Sequence, residues 1–139
     1  MTEHEFTVDV TAEDARRFAE LSGDWNPLHT DSAYAANTSY RRPILHGAFS
    51  AGLFSRMAGM HIPGRDCLLH GIKLKFVAPM VLPASLRVRG TLVRGGDAQG
   101  VVEVVISDAA TGTRYVEGTY DFGLHRHSEA AQALPQAPQ

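Results

Sequence analysis

The 139-residue sequence has a single cysteine, Cys67. An intramolecular disulfide is therefore excluded, as is any zinc cluster built on cysteines. Charge of one sign is also missing: 13 Lys and Arg against 15 Asp and Glu leave a net charge of −2. No basic field exists to hold nucleic acid or an anionic membrane, so neither is expected as a partner. No apolar run approaches the roughly 18 residues that a membrane span requires. The opening Met1-Thr2-Glu3-His4-Glu5 is acidic and has no apolar stretch of the kind a secretory signal carries. The expected setting is a reducing cytoplasm. Internal repeats and a second domain are absent too. The chemistry must come from ordinary side chains and backbone groups.

What is present reads as one soluble globule, with 44% hydrophobic and 20% charged residues. Phe6, Val8 and Val10 alternate with polar residues and predict a short first strand. Thr11 is placed to cap a helix whose first turn holds Glu13 and Asp14. Ala12, Ala15, Phe18 and Ala19 share one face of it, and Gly23 suits its left-handed stop. Pro27 keeps Asn26 out of helical angles, so Asp24 to His29 reads as a loop. Asp31-Ser32 is expected to cap a short helix through Ala36, and Tyr40 to Pro43 to form a surface loop.

From Gly47 to about Met60 apolar residues cover nearly every side of a helical wheel, which predicts an interior helix. Beyond it, Leu68 to Phe76, Leu86 to Val93, Val101 to Ile106 and Thr113 to Phe122 read as strands of an antiparallel meander. The fold class is therefore α+β, with an antiparallel sheet around one long central helix. One domain is expected over residues 1–124, followed by a disordered Ala/Gln/Pro-rich tail over 125–139. A single curled sheet leaves an edge and a face uncovered, so a homodimer is expected.

Several residues could carry chemistry. Asp24 and His29, five apart in a proline-stiffened loop, can face one cavity, where a carboxylate poises an imidazole for proton transfer. On spacing alone such a pair is more often a turn cap and a surface histidine. His29, Asp31 and His46 form a possible metal set, but they match no familiar zinc spacing. His46-Gly47 opens the interior helix, whose first amides have no internal partner and carry partial positive charge. Glycine there either admits a carbonyl to the backbone or merely eases entry into the helix. Ser55, two turns on, can donate into a pocket or back to its own helix. His70 shares a strand face with Leu68 and Ile72 and reads as a satisfied buried histidine.

The run Ser22-Gly23-Asp24-Trp25-Asn26-Pro27-Leu28-His29-Thr30-Asp31, followed by Arg42-Pro43-Ile44-Leu45-His46-Gly47, closely resembles the MaoC-like (R)-specific enoyl-CoA hydratase family. The resemblance is dense over residues 18–64 and continues through Lys73 to Pro79 and Gly118-Thr119-Tyr120. It implies a hot-dog fold, normally dimeric, and syn addition or removal of water across the 2,3 bond of an acyl thioester, with no metal or redox cofactor. It also implies that Asp24 and His29 are the catalytic dyad and that Gly47 supplies the backbone donor to the thioester carbonyl. By the same resemblance Asn26 shapes the loop, Ser55 supports the hydrogen-bond network, Ala58 looks out on the acyl pocket, and His46 belongs to the substrate site. Trp25 and the stretch Val81 to Ser85 depart from the family's pattern without removing a catalytic group.

Three functions are carried forward. The first is a hydratase of acyl-CoA thioesters. The second is a dehydratase of β-hydroxyacyl groups on an acyl carrier protein, as in fatty-acid or polyketide synthesis, docked through Arg41, Arg42, Arg56 or Arg65. The third is a non-catalytic thioester-binding partner subunit.

Overall fold

The computed structural model describes residues 2–125; the tail expected beyond them lies outside the described residues. Five strands make one sheet: β1 (Glu3–Val10), β2 (Cys67–Phe76), β3 (Ala84–Gly95), β4 (Gln99–Asp108) and β5 (Arg114–Leu124). All pairings are antiparallel and the order is β1-β3-β4-β5-β2. The expected meander therefore holds only for β3 to β5. β2 lies outside β5, and β1 closes the far side on β3.

The first helix, α1 (Ala12–Ser22), starts and stops as its sequence predicts. The Thr11 N–H donates to Asp14 Oδ2 at 2.8 Å, and Gly23 takes the left-handed conformation at φ 80°. Ala15 and Ala19 are buried, while Ala12 is exposed in the first turn. Two short helices follow, α2 (Pro27–Thr30) and α3 (Ser32–Ala36). α2 corrects the loop reading: proline breaks a helix interior but is well placed in its first turn, where its missing N–H would be unsatisfied anyway.

The interior helix α4 runs from Phe49 to Met60, two residues later than expected. Gly47 and Ala48 form a turn ahead of it, closed by Phe49 N–H to His46 C=O at 3.1 Å and Ser50 N–H to Gly47 C=O at 3.0 Å. Leu53, Phe54, Met57 and Ala58 point into the sheet and meet Leu86, Val88, Val102, Val104, Ile106 and Val116. Gly90, Val104 and Gly118 are register partners on neighbouring strands, so they form a low row across the sheet. A Cβ on Gly90 would come within 2.9 Å of Met57, and one on Gly118 within 3.0 Å of Phe54. The row is thus a furrow in which α4 lies. Among the described residues no helix is long and apolar enough to cross a membrane.

The two glycines give a stability test. At Gly118 the added carbon would also sit 2.0 Å from the Lys73 carbonyl oxygen, which is backbone; at Gly90 it meets only the flexible Met57 side chain. Gly118→Ala is therefore expected to cost about 2 kcal/mol more than Gly90→Ala, read from urea midpoints at equal slope.

β2 carries a second correction. A bulge between Leu69 and Gly71 inserts His70 as an extra residue, which breaks the two-residue alternation. Leu69, Ile72 and Leu74 pack on the core, while Leu68 and His70 are exposed. His70 is not a buried histidine; its ring lies over Gly123 on the neighbouring strand.

Candidate active site

The site is built where α1 ends. The Asp24 N–H donates to Ser22 Oγ at 3.1 Å, and Asp24 Oδ1 accepts the Asn26 N–H at 3.2 Å. Asn26 then caps α2, its Oδ1 accepting the Leu28 N–H at 3.0 Å. This chain of short local bonds turns the backbone so that Asp24, at its start, and His29, one helical turn on, come together. Asn26 thus fixes the turn of the backbone between Asp24 and His29.

His29 is fixed from behind. Its Nδ1 lies 2.7 Å from the Ile44 carbonyl oxygen. A carbonyl only accepts, so Nδ1 carries the proton, and in the neutral ring Nε2 keeps its lone pair. His46 is held the same way with the nitrogens exchanged, Nε2 lying 2.9 Å from the Asp24 carbonyl oxygen. His46 is only 1% exposed. Its ring is sandwiched between His29, at 4.2 Å between centroids, and Phe18, at 4.8 Å. The buried histidine is therefore a support: it clamps the Asp24 backbone and gives His29 a surface to stack on.

A carboxylate oxygen of Asp24 and one nitrogen each of His29 and His46 lie within 4.8 Å of one another. Asp31, named in the sequence-based metal set, is elsewhere. Its carboxylate caps α3, accepting the Ala33 and Tyr34 N–H groups at 2.9 and 3.1 Å. Asp24 takes its place in the cluster, where the two histidine rings are tilted by 30°. The arrangement suits two groups sharing a water.

One residue past His46, Gly47 begins the turn into α4. Its φ is not in the left-handed region, so freedom of backbone angle is not what glycine supplies here. A Cβ on it would lie 2.9 Å from Cε1 and Cζ of Phe76. No hydrogen bond from the Gly47 N–H is found among the described residues, which suits a donor kept for a ligand. The strip Ile44–Gly47 is itself anchored. The Ile44 N–H donates to the Leu28 carbonyl at 3.1 Å, and the Leu45 N–H to the Met80 carbonyl at 2.8 Å.

The structure does not bring Ser55 and Ala58 to this cluster. Ser55 is exposed on α4, and Ala58 is 1% exposed and packed in the core. The buried serine is Ser50, whose Oγ, like His46 Nδ1, has no hydrogen-bond partner among the described residues. Sequence reasoning missed Ser50, though its place among the apolar residues of a buried helix was a signal. It also missed the Ile44 carbonyl, for which no sequence signal exists. Of the four arginines considered for carrier docking, Arg56 stacks over the Phe6 ring at 4.0 Å and Arg65 pairs with Asp66 at 3.7 Å. Arg41 and Arg42 remain together in one exposed loop.

Comparison with known proteins agrees with this geometry. The chain is 45% identical over 69 residues to the (R)-specific enoyl-CoA hydratase of Aeromonas caviae, a stretch that is 50% of this chain and 52% of that protein. It is 36% identical over 72 residues to the 3-hydroxybutyryl-CoA dehydratase of Methylorubrum extorquens, covering 52% of this chain and 46% of that one. The chain thus spans about half the length of the curated relatives it matches. The fold similarity is broader. The solved (R)-hydratase from A. caviae superposes with a TM-score of 0.82 at 29% identity, over 89% of this chain and 95% of that one. The R-hydratase PhaJ1 from Pseudomonas aeruginosa superposes at 0.84 and 27%, over 99% and 91%. These are hot-dog folds, and the sheet curled around α4 is one as well. The family model described as MaoC like domain matches residues 2–113, most of the chain, and the protein belongs to that family.

Proposed function

We propose that the protein is a hydro-lyase that adds water reversibly, in syn geometry, across the 2,3 double bond of trans-2-enoyl-CoA thioesters to give (R)-3-hydroxyacyl-CoA. The observation that carries this reading is the meeting of Asp24 with His29, whose ring is anchored so that Nε2 keeps a lone pair, beside a strip that ends in the Gly47 amide, unpartnered among the described residues. The similarity to hydratases of this stereochemistry supports it.

The Gly47 N–H donates to the thioester carbonyl oxygen and draws electrons from C3. A water held between the Asp24 carboxylate and His29 Nε2 loses a proton to one of them as its oxygen bonds to C3. The π electrons shift toward C2 and the carbonyl oxygen, and C2 then takes a proton from the same dyad. One face delivers both parts of the water, so addition is syn. Either group can take the proton from water and either can return one to C2, so proton delivery belongs to the pair. The reaction is redox-neutral and balances without an oxidant or reductant.

The test is loss of enoyl absorbance on adding purified protein to crotonyl-CoA and to longer enoyl-CoAs, repeated with the same acyl groups on a carrier protein. Turnover of the CoA thioesters is expected. Turnover of the carrier-bound forms alone would move the assignment to the carrier-protein dehydratase. Inactivity on both would leave only a thioester-binding role.

The active form is a homodimer. β2 is a ten-residue strand whose one sheet neighbour among the described residues is β5, so one row of its N–H and C=O groups is placed to pair with a second copy. Light scattering is expected to give twice the 15.1 kDa chain mass at micromolar concentration, and a mass of one chain would contradict it. The lone Cys67, a free thiol, suits a reducing cytoplasm.

A further inference from the structure

We propose that Phe76 is a specificity-determining residue of this site, its ring forming the movable wall of an apolar slot that takes the acyl chain beside the Gly47 amide. The proposal rests on the thioester reading above and adds what that reading leaves open, the group that sets which acyl chains fit.

A cavity of about 400 Å³ is lined by Gly47 and Phe76 together with Ile44, Leu45, Pro79 and Met80. That size is at the small end of ligand pockets. Every side chain on its wall is apolar, so the polar groups it offers are backbone ones. The amides in the pantetheine arm of CoA would find no side-chain partner on such a wall, only main-chain groups, whereas a hydrocarbon chain needs no partner. The acyl group is therefore the part of the thioester that the slot suits.

Phe76 closes this slot at the reacting end. Its ring edge packs on Gly47 so tightly that the Cα hydrogens of glycine fill the available space. A carbonyl drawn to the Gly47 N–H would therefore lie beside the ring. Phe76 is the last residue of β2 and is 57% exposed, an unusual place for a large apolar side chain. The atoms that touch Gly47 are the far end of the ring, so rotation about the side-chain bonds changes the width of the slot with little movement of the strand. A bound chain would cover ring surface that now faces water, and each buried methylene would tighten binding about fourfold. The ring also limits that gain, since it occupies room that further methylenes would take. Substrates with short, unbranched acyl chains are the class this wall favours.

The experiment measures binding of the saturated thioesters butyryl-, hexanoyl- and octanoyl-CoA by calorimetry to the wild type and to Phe76→Leu and Phe76→Ala, with circular dichroism as the check on folding. The ratio of octanoyl to butyryl affinity is expected to rise at least fourfold in Phe76→Ala, with Phe76→Leu between. A ratio unchanged within twofold in both folded variants would overturn the proposal. A second arm uses Gly47→Ala, whose methyl meets the ring. Butyryl-CoA binding is expected to weaken in that variant and to return to the Phe76→Ala level in the double variant; no recovery would also overturn it. Saturated thioesters undergo no hydration, so these arms read the slot independently of catalysis. A wild type inactive on enoyl-CoA whose variants still shift the ratio would remove the hydratase reading and keep the slot. Absence of acyl-CoA binding in every variant would remove both.

Discussion

Asp24→Asn and His29→Ala are each expected to lower turnover of crotonyl-CoA at least 10²-fold, the scale typical of general acid–base groups, in proteins that remain folded. The expectation of retained fold comes from the bonds around each group. Asp24 is exposed, and its side chain accepts the Asn26 N–H, which an amide oxygen accepts equally well. Its backbone carbonyl, which holds His46, is untouched by the substitution. His29→Ala removes more, because the Ile44 carbonyl loses its partner and His46 loses one of its stacked neighbours. The Ile44 strip is still held by its own N–H to Leu28 and by Leu45 to Met80. A lower melting temperature is therefore expected for His29→Ala than for Asp24→Asn, with comparable losses of activity. Near-wild-type turnover in either purified variant would refute the assigned role.

Removing the Gly47 N–H is expected to cost roughly 10²–10³ in turnover, as for one oxyanion donor. Proline deletes that donor; the N–H has no partner among the described residues, and His46 before it is not helical. Proline also brings a Cβ, however, and that carbon would meet Phe76 just as alanine's would. A Gly47→Pro variant alone would mix two effects. The clean comparison places both substitutions on Phe76→Ala. There Gly47→Ala keeps the donor and Gly47→Pro lacks it, with the steric conflict relieved in each. Turnover of the proline form is expected to fall 10²–10³ below the alanine form, with superposable circular dichroism. Equal turnover would take the amide out of the mechanism. An alanine form as slow as the proline one would mean that open space is what glycine provides.

Much of this architecture is legible in the sequence because it rests on local rules. Thr11 and Asp14 mark one helix start, Gly23 its end, and Asp31 another start, each through bonds spanning only a few residues. The strands follow from alternation; Asp24 and His29 stand out by their spacing, but the role of a dyad comes from the resemblance alone. What fails depends on partners distant in the chain. The placing of β2 beside β5 follows from how the chain passes around α4, which no local pattern encodes. The bulge at His70 inverts the apparent faces of β2 up to that point, so Leu68 reads as inward and is not. Pro27 misleads because one residue type both ends helices and begins them. Ser55 and Ala58 were carried over by resemblance, and within a single chain they lie away from the dyad. The contact of Phe76 with Gly47 joins residues 29 apart, and only the assembled fold shows why position 47 is bare.

Both histidine supports at the site are main-chain oxygens, those of Ile44 and Asp24. Every amino acid carries that oxygen, so the anchors survive a change of side chain. The Ile44 residue is the clearer instance: its carbonyl holds His29 while its side chain lines the apolar slot. Proton handling and acyl choice are thus written in different atoms of one residue. Position 44 can be varied to re-tune which chains enter, provided that its N–H is retained for Leu28, and the imidazole will still be held in the same tautomer. The chain is organised so that selectivity can drift while the chemistry stays put.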